Sequence, residues 1–318
     1  MRIGIVGVGA VGSACLLSLV TRGVAREIVV VDKNQARARG VATDIRYGAV
    51  LSPAVDVREG DYSDLAGAEL VMITAGVNEK AGGATDRSDP AGRLRLFETN
   101  AGIFQEIVPQ ILRAAPNTMI LVVTDPPDTL ADVVRLLGCP RVLSTGTLLD
   151  TLRFRYHLAR RLKLSPASVE AMVLGEHGTS EVFLWSSARV GGRPVLQLMV
   201  EVGHDPEELQ REIENDVRYA NITIIEGIGA SQYGIGMVSA RIAEMVLRDE
   251  RAVVPIGAYN SKYGVTLSLP SVLGRDGVTQ VIEPEMSDQE RQALERSAET
   301  LRATVSRVDL GSTRRKTA

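Results

Sequence analysis

One motif constrains this chain more than any other. A strand candidate, Arg2–Val6, runs directly into Gly7-Val8-Gly9-Ala10-Val11-Gly12, and a helical pattern follows. Glycines in this spacing allow a tight turn, close approach of a pyrophosphate and close helix–strand packing. The start of the helix adds free N–H groups and a positive dipole end that suit phosphate. Alone, such a turn is also compatible with a purely structural bend. Here a second strand candidate, Glu27–Val31, is followed at once by Asp32, 20 residues beyond Gly12. An acid at that place accepts hydrogen bonds from an adenosine ribose and repels a 2′-phosphate, which favours NAD over NADP. On this motif alone the rival is a methyltransferase, whose adenosine cofactor uses a similar turn.

The rest of the first half repeats the strand–helix alternation. Further strands are expected at 70–74, 119–123 and 141–145, all apolar nearly throughout, as parallel strands covered on both faces are. Helical patterns at 11–22, 34–47, 94–114 and 128–137 lie between them, the last with Asp128 as its expected N-cap. This alternation implies an α/β fold with a doubly wound parallel sheet, a Rossmann domain. After about residue 147 the texture changes to long helices at 152–162, 206–226, 233–248 and 287–308. Strands at 170–174, 253–256 and 265–273 lie among them. The expected division is a dinucleotide-binding domain over 1–146, a mixed α/β catalytic domain over 147–310, and a frayed tail over 311–318. No linker marks the boundary, so the halves should pack tightly around a cleft.

Composition narrows the partners. A net charge of −3 over 318 residues gives no electrostatic reason to expect a nucleic-acid or membrane-surface partner. No apolar run reaches about 18 residues, so no membrane span is expected. Cys15 and Cys139 make neither a disulfide framework nor a metal motif, which fits a reducing cytoplasm and no metal.

Three histidines compete for a chemical role: His157, His177 and His204. His177 stands out. It lies in Gly175-Glu176-His177-Gly178 just past a strand end, where flanking glycines can place it in a cleft. Upstream, Asp150 and Arg153 are three apart in Leu149-Asp150-Thr151-Leu152-Arg153-Phe154-Arg155 and share one helical face. Hydride transfer to a ketone needs a proton donor for the oxygen, and histidine suits this near neutral pH. A buried carboxylate, Asp150, can orient the ring, and Arg153 can clamp a substrate carboxylate through two parallel hydrogen bonds. The bland readings are an N-cap for Asp150 and a surface charge for Arg153.

At this point the sequence resembles the lactate/malate dehydrogenase family, over about residues 1–310. The motifs keep the family's order: GVGAVG, VVVD, then Thr74-Ala75-Gly76, a loop with Arg-Leu, a proline turn, LDxxRFR and GEHG. The resemblance implies NAD as cofactor, bound by Gly7, Gly9, Gly12, Asp32, Thr74, Ala75 and Gly76. It implies His177 as proton donor and acceptor, Asp150 as its partner, and Arg153 on the substrate carboxylate. Arg93 is implied as a mobile-loop arginine that polarises the carbonyl, and Ser231 as a hydroxyl beside the substrate. It also implies a homodimer or homotetramer acting on a small 2-hydroxy/2-oxo acid.

Three departures from the family pattern bear on the substrate. Asp125 stands before Pro126 where an asparagine is expected, and an ionised carboxylate cannot donate a hydrogen bond. It either faces the substrate or only fixes a turn. Glu79 falls where lactate enzymes of the family tend to have Gln and malate enzymes Arg. The stretch 82–92 is about eight residues longer than the usual loop, so Arg87 competes with Arg93. Glu79 would repel the second carboxylate of oxaloacetate, so the expected substrate is lactate/pyruvate or a near relative. Left open are a 2-hydroxy acid with a polar or cationic distal group, and a non-catalytic NAD-binding protein.

Overall fold

The computed structural model describes residues 1–82 and 92–308, with the backbone alone at 92 and 93. The first half runs β1 (Arg2–Val6), α1 (Ala10–Arg22), β2 (Glu27–Val31), α2 (Gln35–Gly48), β3 (Asp56–Glu59) and β4 (Leu70–Ile73). It continues through α3 (Gly92–Ala114), β5 (Met119–Val122), α4 (Pro127–Leu136) and β6 (Val142–Ser144). The second half opens with α5 (Leu148–Leu162) and five two-residue strands. These are β7 (Val169–Glu170), β8 (Val173–Leu174), β9 (Val182–Phe183), β10 (Arg189–Val190) and β11 (Arg193–Pro194). Then come α6 (Val195–Glu201), α7 (Pro206–Arg218), α8 (Ala220–Ile228) and α9 (Tyr233–Leu247). The chain ends on β12 (Ala252–Asn260), β13 (Val265–Gly274), β14 (Gly277–Val281) and α10 (Asp288–Val305).

The expected doubly wound sheet is present, and it is larger than the first half alone. Strands β3, β2, β1, β4, β5 and β6 pair in parallel, and β6 then pairs antiparallel with β12 through Gly257 and Ser144. The hairpins β12–β13 and β13–β14 complete a nine-stranded sheet. The absence of a linker thus has a physical counterpart, because one sheet runs through both halves. One apolar core also spans them, joining Ile3, Ile5 and Leu16 to Val238, Ile242, Ile256 and Leu273.

The sequence reading missed β3 and β14, the two edges of that sheet. Each buries little: Asp56–Glu59 has one buried residue, Val57, and most of Gly277–Val281 is exposed. Edge strands carry polar and charged side chains, so no apolar run announces them. Two expected elements are divided. The single strand at 170–174 is β7 and β8, which pair with different partners, β10 and β9. The long helix at 206–226 breaks at Tyr219 into α7 and α8, with neither glycine nor proline at the break.

The expected N-cap role of Asp128 is also corrected. Pro126 occupies the cap position and Pro127 opens α4, while the Asp128 carboxylate points away to other partners. Among the described residues no helix is long and apolar enough to cross a membrane. The expected tail at 311–318 lies outside the described residues.

The glycine turn separates two kinds of constraint. A Cβ on Gly12 would overlap the Gly7 carbonyl oxygen and lie 2.6 Å from Thr74 Oγ1, whereas a Cβ on Gly9 would meet nothing within 4 Å. Gly12 therefore serves packing, and Gly9 keeps open a space that a ligand can enter. We expect Gly12→Ala to lower the thermal midpoint of the ligand-free protein by about 5 °C or more. Gly9→Ala should leave that midpoint nearly unchanged and weaken NADH binding in a fluorescence titration. Equal effects of both changes on the ligand-free midpoint would remove the distinction.

Candidate active site

Four elements fix His177 in place. Gly175 exchanges both backbone hydrogen bonds with Ser268 of β13, each at 2.9 Å. The Glu176 N–H donates to Ser297 Oγ of α10 at 2.9 Å, and the His177 N–H donates to Asp128 Oδ2 of α4 at 2.7 Å. The imidazole Nδ1 lies 2.6 Å from Oδ2 of Asp150 on α5. A carboxylate without a proton only accepts, so Nδ1 carries the hydrogen and donates it. The other Asp150 oxygen, Oδ1, accepts from Arg153 at 3.0 Å.

Asp150 is 1 % exposed. Burial alone would push its carboxyl up, but His177 and then Arg153 outweigh that and hold it below the ordinary value. The pair is thus an ionised carboxylate held against an imidazole N–H, as the sequence suggests. Nearby, Glu181 is 4 % exposed. Burial first, and then the charge of Asp150, push its carboxyl well above the ordinary range. Sequence reasoning passed over Glu181. The signal was a second acid four residues past His177.

His177 faces a cavity of about 270 Å³ at the carboxyl ends of β1, β4 and β5. Ligands in open α/β sheets bind at such strand ends. Of the expected cofactor residues, Gly9, Thr74 and Gly76 line the cavity; Asp125, Glu79 and Ser231 line it too. Gly7, Gly12, Asp32 and Ala75 are not among the lining residues. Thr74 Oγ1 donates to the Gly7 carbonyl and so ties the glycine turn to the end of β4. Asp32 braces the same turn: its Oδ2 accepts the Val8 N–H and its Oδ1 the Asn34 N–H, both at 2.8 Å. Both oxygens keep lone pairs that a ribose hydroxyl can use.

Asp125 is among the residues that line the cavity. Asn100, fully buried, sets its place. Its Nδ2 donates to the Asp125 carbonyl at 2.8 Å and to the Val77 carbonyl at 3.1 Å, while its Oδ1 accepts the Val77 N–H at 2.7 Å. One amide therefore stitches the loop that carries Glu79 to the turn that carries Asp125. Arg153, expected on a substrate carboxylate, has its Nη1 on Asp150 and is not among the cavity-lining residues. Arg93 falls in the first turn of α3, and its side chain, like all of Arg87, lies outside the described residues. Arg37, Asn78 and Asn221 also line the cavity and were not singled out from sequence. Arg37 was hidden in a polar, arginine-rich helical pattern, and Asn221 in what read as the middle of one long helix.

A glycine turn with open space at Gly9, an acid braced at the end of β2, and a histidine–carboxylate pair at the same strand ends define a class. The class is a nicotinamide-dependent dehydrogenase. Residues 1–139 match the family model for the lactate/malate dehydrogenase NAD binding domain, and residues 147–309 that for its alpha/beta C-terminal domain. An L-lactate dehydrogenase of Deinococcus radiodurans is 44 % identical over 306 residues, covering 95 % of this chain and 97 % of the relative. One of Thermus aquaticus is 43 % identical over 315 residues, covering 96 % and 99 %. The crystal structure of a minor L-lactate dehydrogenase from Enterococcus mundtii, in the ligands-bound form, superposes with a TM-score of 0.89. It is 34 % identical and covers 98 % of this chain and 99 % of that one. The chain belongs to the lactate/malate dehydrogenase family and is an NAD-dependent oxidoreductase.

Asp128 offers a test of how His177 is anchored. It is 1 % exposed, and burial pushes its carboxyl up to about 6, against hydrogen bonds from Ser144 and the His177 backbone that pull it down. The folded chain therefore holds this proton to about pH 6, while the unfolded chain releases it near 3.8. Between those values the folded state binds more protons, so the carboxyl's contribution to stability is full below about pH 4 and is lost as pH rises through 6. We expect the unfolding free energy of the unmodified protein minus that of Asp128→Asn to fall by up to about 3 kcal/mol across this window. Denaturant melts of both proteins from pH 4 to 7 measure it. A flat difference would mean that Asp128 does not titrate there.

Proposed function

We propose that the chain interconverts L-lactate and pyruvate in the cytoplasm, as a homodimer or homotetramer. The observation that carries the chemistry is His177, held on the buried Asp150 and lining the same cavity as Gly9, Thr74 and Gly76. The names of the relatives support the substrate. When bound, NAD accepts or supplies the hydride at the substrate C2.

The chain's own residues then manage the proton and the charges. With Nδ1 committed to Asp150, Nε2 of His177 is the nitrogen that gives a proton to the ketone oxygen in reduction and takes it from the alcohol in oxidation. Asp150 holds the ring in that tautomer and stabilises the imidazolium that forms. Arg153 clamps the substrate carboxylate, and Arg93 polarises the carbonyl. Ser231 offers a hydroxyl at the cavity wall. Asp125 offers a further acceptor at that wall.

NADH oxidation with pyruvate tests the reading directly. We expect turnover in the unmodified protein, a loss of about 10²–10⁴-fold in His177→Gln, and unaltered NADH binding in that variant. Full turnover in His177→Gln would take this residue out of the mechanism.

Substrate selection follows from charge. Two like charges about 4 Å apart at an effective dielectric of about 20 repel by about 4 kcal/mol. A second substrate carboxylate reaching toward Glu79 meets such a repulsion, and solvent screening that halves it still leaves more than about tenfold in rate. We expect kcat/KM for pyruvate to exceed that for oxaloacetate by more than about tenfold, and Glu79→Arg to narrow the gap. A preference for oxaloacetate in the unmodified protein would overturn the charge argument.

A further inference from the structure

The cavity has a distal wall assembled from both halves of the chain. Glu79 comes from the loop after β4, three residues past Gly76, and Asn221 from the first turn of α8. They are 142 positions apart in sequence, yet Asn221 Nδ2 donates to Glu79 Oε1 at 3.2 Å. Both line the cavity that His177 faces. Asn221 lies two residues past the break at Tyr219 that divides α7 from α8.

We propose that Asn221 is a specificity-determining positioning residue, which holds the Glu79 carboxylate at the distal wall and so decides which 2-oxo acid side chains are accepted. The inference rests on the reading of the cavity as a 2-oxo acid site. The residue type carries the argument. A carboxamide donates to a carboxylate without neutralising it, so this contact fixes the side chain and leaves its charge in place. A lysine or arginine at 221 would cancel the charge, an aspartate would drive the two side chains apart, and an aliphatic side chain would leave Glu79 without this anchor. A fixed carboxylate rejects a second substrate carboxylate. It accepts a methyl group that stops short of it, and it can accept a hydrogen bond from a hydroxyl there. The side chains favoured are therefore small, uncharged ones, with or without a hydroxyl, as in pyruvate and 3-hydroxypyruvate.

A double-mutant cycle tests this. The quantity read is the ratio of kcat/KM for pyruvate to kcat/KM for oxaloacetate. It is measured in the unmodified chain, Asn221→Leu, Glu79→Gln and the double variant, with NADH fluorescence titration confirming that each still binds cofactor. Leucine keeps the branched four-atom skeleton of Asn221 and removes the donor. Asn221→Ser, too short to reach, stands in should the leucine variant fail to fold. We expect Asn221→Leu to lower the ratio by about five- to tenfold when Glu79 is intact and by less than about twofold when it is combined with Glu79→Gln. Turnover of 3-hydroxypyruvate should fall relative to pyruvate in the same variant. An equal effect in both backgrounds would show that Asn221 acts through volume alone, and no effect in either would show that it does not act; each overturns the inference. An unmodified protein that oxidises NADH with no 2-oxo acid overturns the functional reading and this inference with it. An active protein without coupling overturns this inference alone.

Discussion

The structure turns on one close contact, where Gly257 of β12 lies against Ser144 of β6. Among the described residues it is the single register pair between the parallel strands of the first half and the antiparallel hairpins of the second. A Cβ on Gly257 would overlap Ser144 Oγ and lie 2.6 Å from Asp128 Oδ1, so the backbones meet here only because there is no side chain. Asp128 joins that seam to the site. One oxygen accepts from Ser144 at 2.5 Å and the other from the His177 N–H at 2.7 Å. The same buried carboxylate therefore registers the sheet and sets the backbone of the histidine. Because the core is close-packed across both halves, a shift at the seam is transmitted to His177 rather than absorbed.

The site is rich in carboxylates, and they differ in what holds them. Asp150 is buried yet ionised, because His177 and Arg153 outweigh its desolvation. Glu181, equally hidden and exposed to the field of Asp150, is pushed the other way. Asp125 and Glu79 sit at the cavity wall, each tied in place by an amide: Asn100 on the Asp125 backbone, Asn221 on the Glu79 side chain. These two contacts come from neutral donors, which position an acid without themselves cancelling its charge.

Much of this was legible in the chain itself. The dinucleotide half could be read because its signals are local: a glycine turn between a strand and a helix, and an acid at the end of the next strand. The apolar strands β1, β2, β4 and β5 are buried on both faces and announce themselves. The His177–Asp150 pair could be read as a candidate because each residue sits in a short motif of recognisable chemistry, and the helical spacing of Asp150 and Arg153 placed them on one face. The edges β3 and β14 could not be read, because a strand with one neighbour and an exposed face needs no apolar pattern.

By itself, then, the sequence determined the doubly wound sheet, the cofactor turn and the residue types of the proton-transfer pair. These depend on backbone geometry and hydrophobic periodicity within a few residues. Only the tertiary structure decided the rest. It turned Asp128 from an apparent helix cap into the anchor of His177, 49 positions away. It tied the Asp125 backbone to Asn100, and it brought Asn221 of α8 to Glu79 of the loop after β4. The physical reason is common to all three. A side chain's hydrogen-bonding capacity is fixed by its type, but its partner is fixed by which distant group the packing of the chain brings within about 3 Å of it.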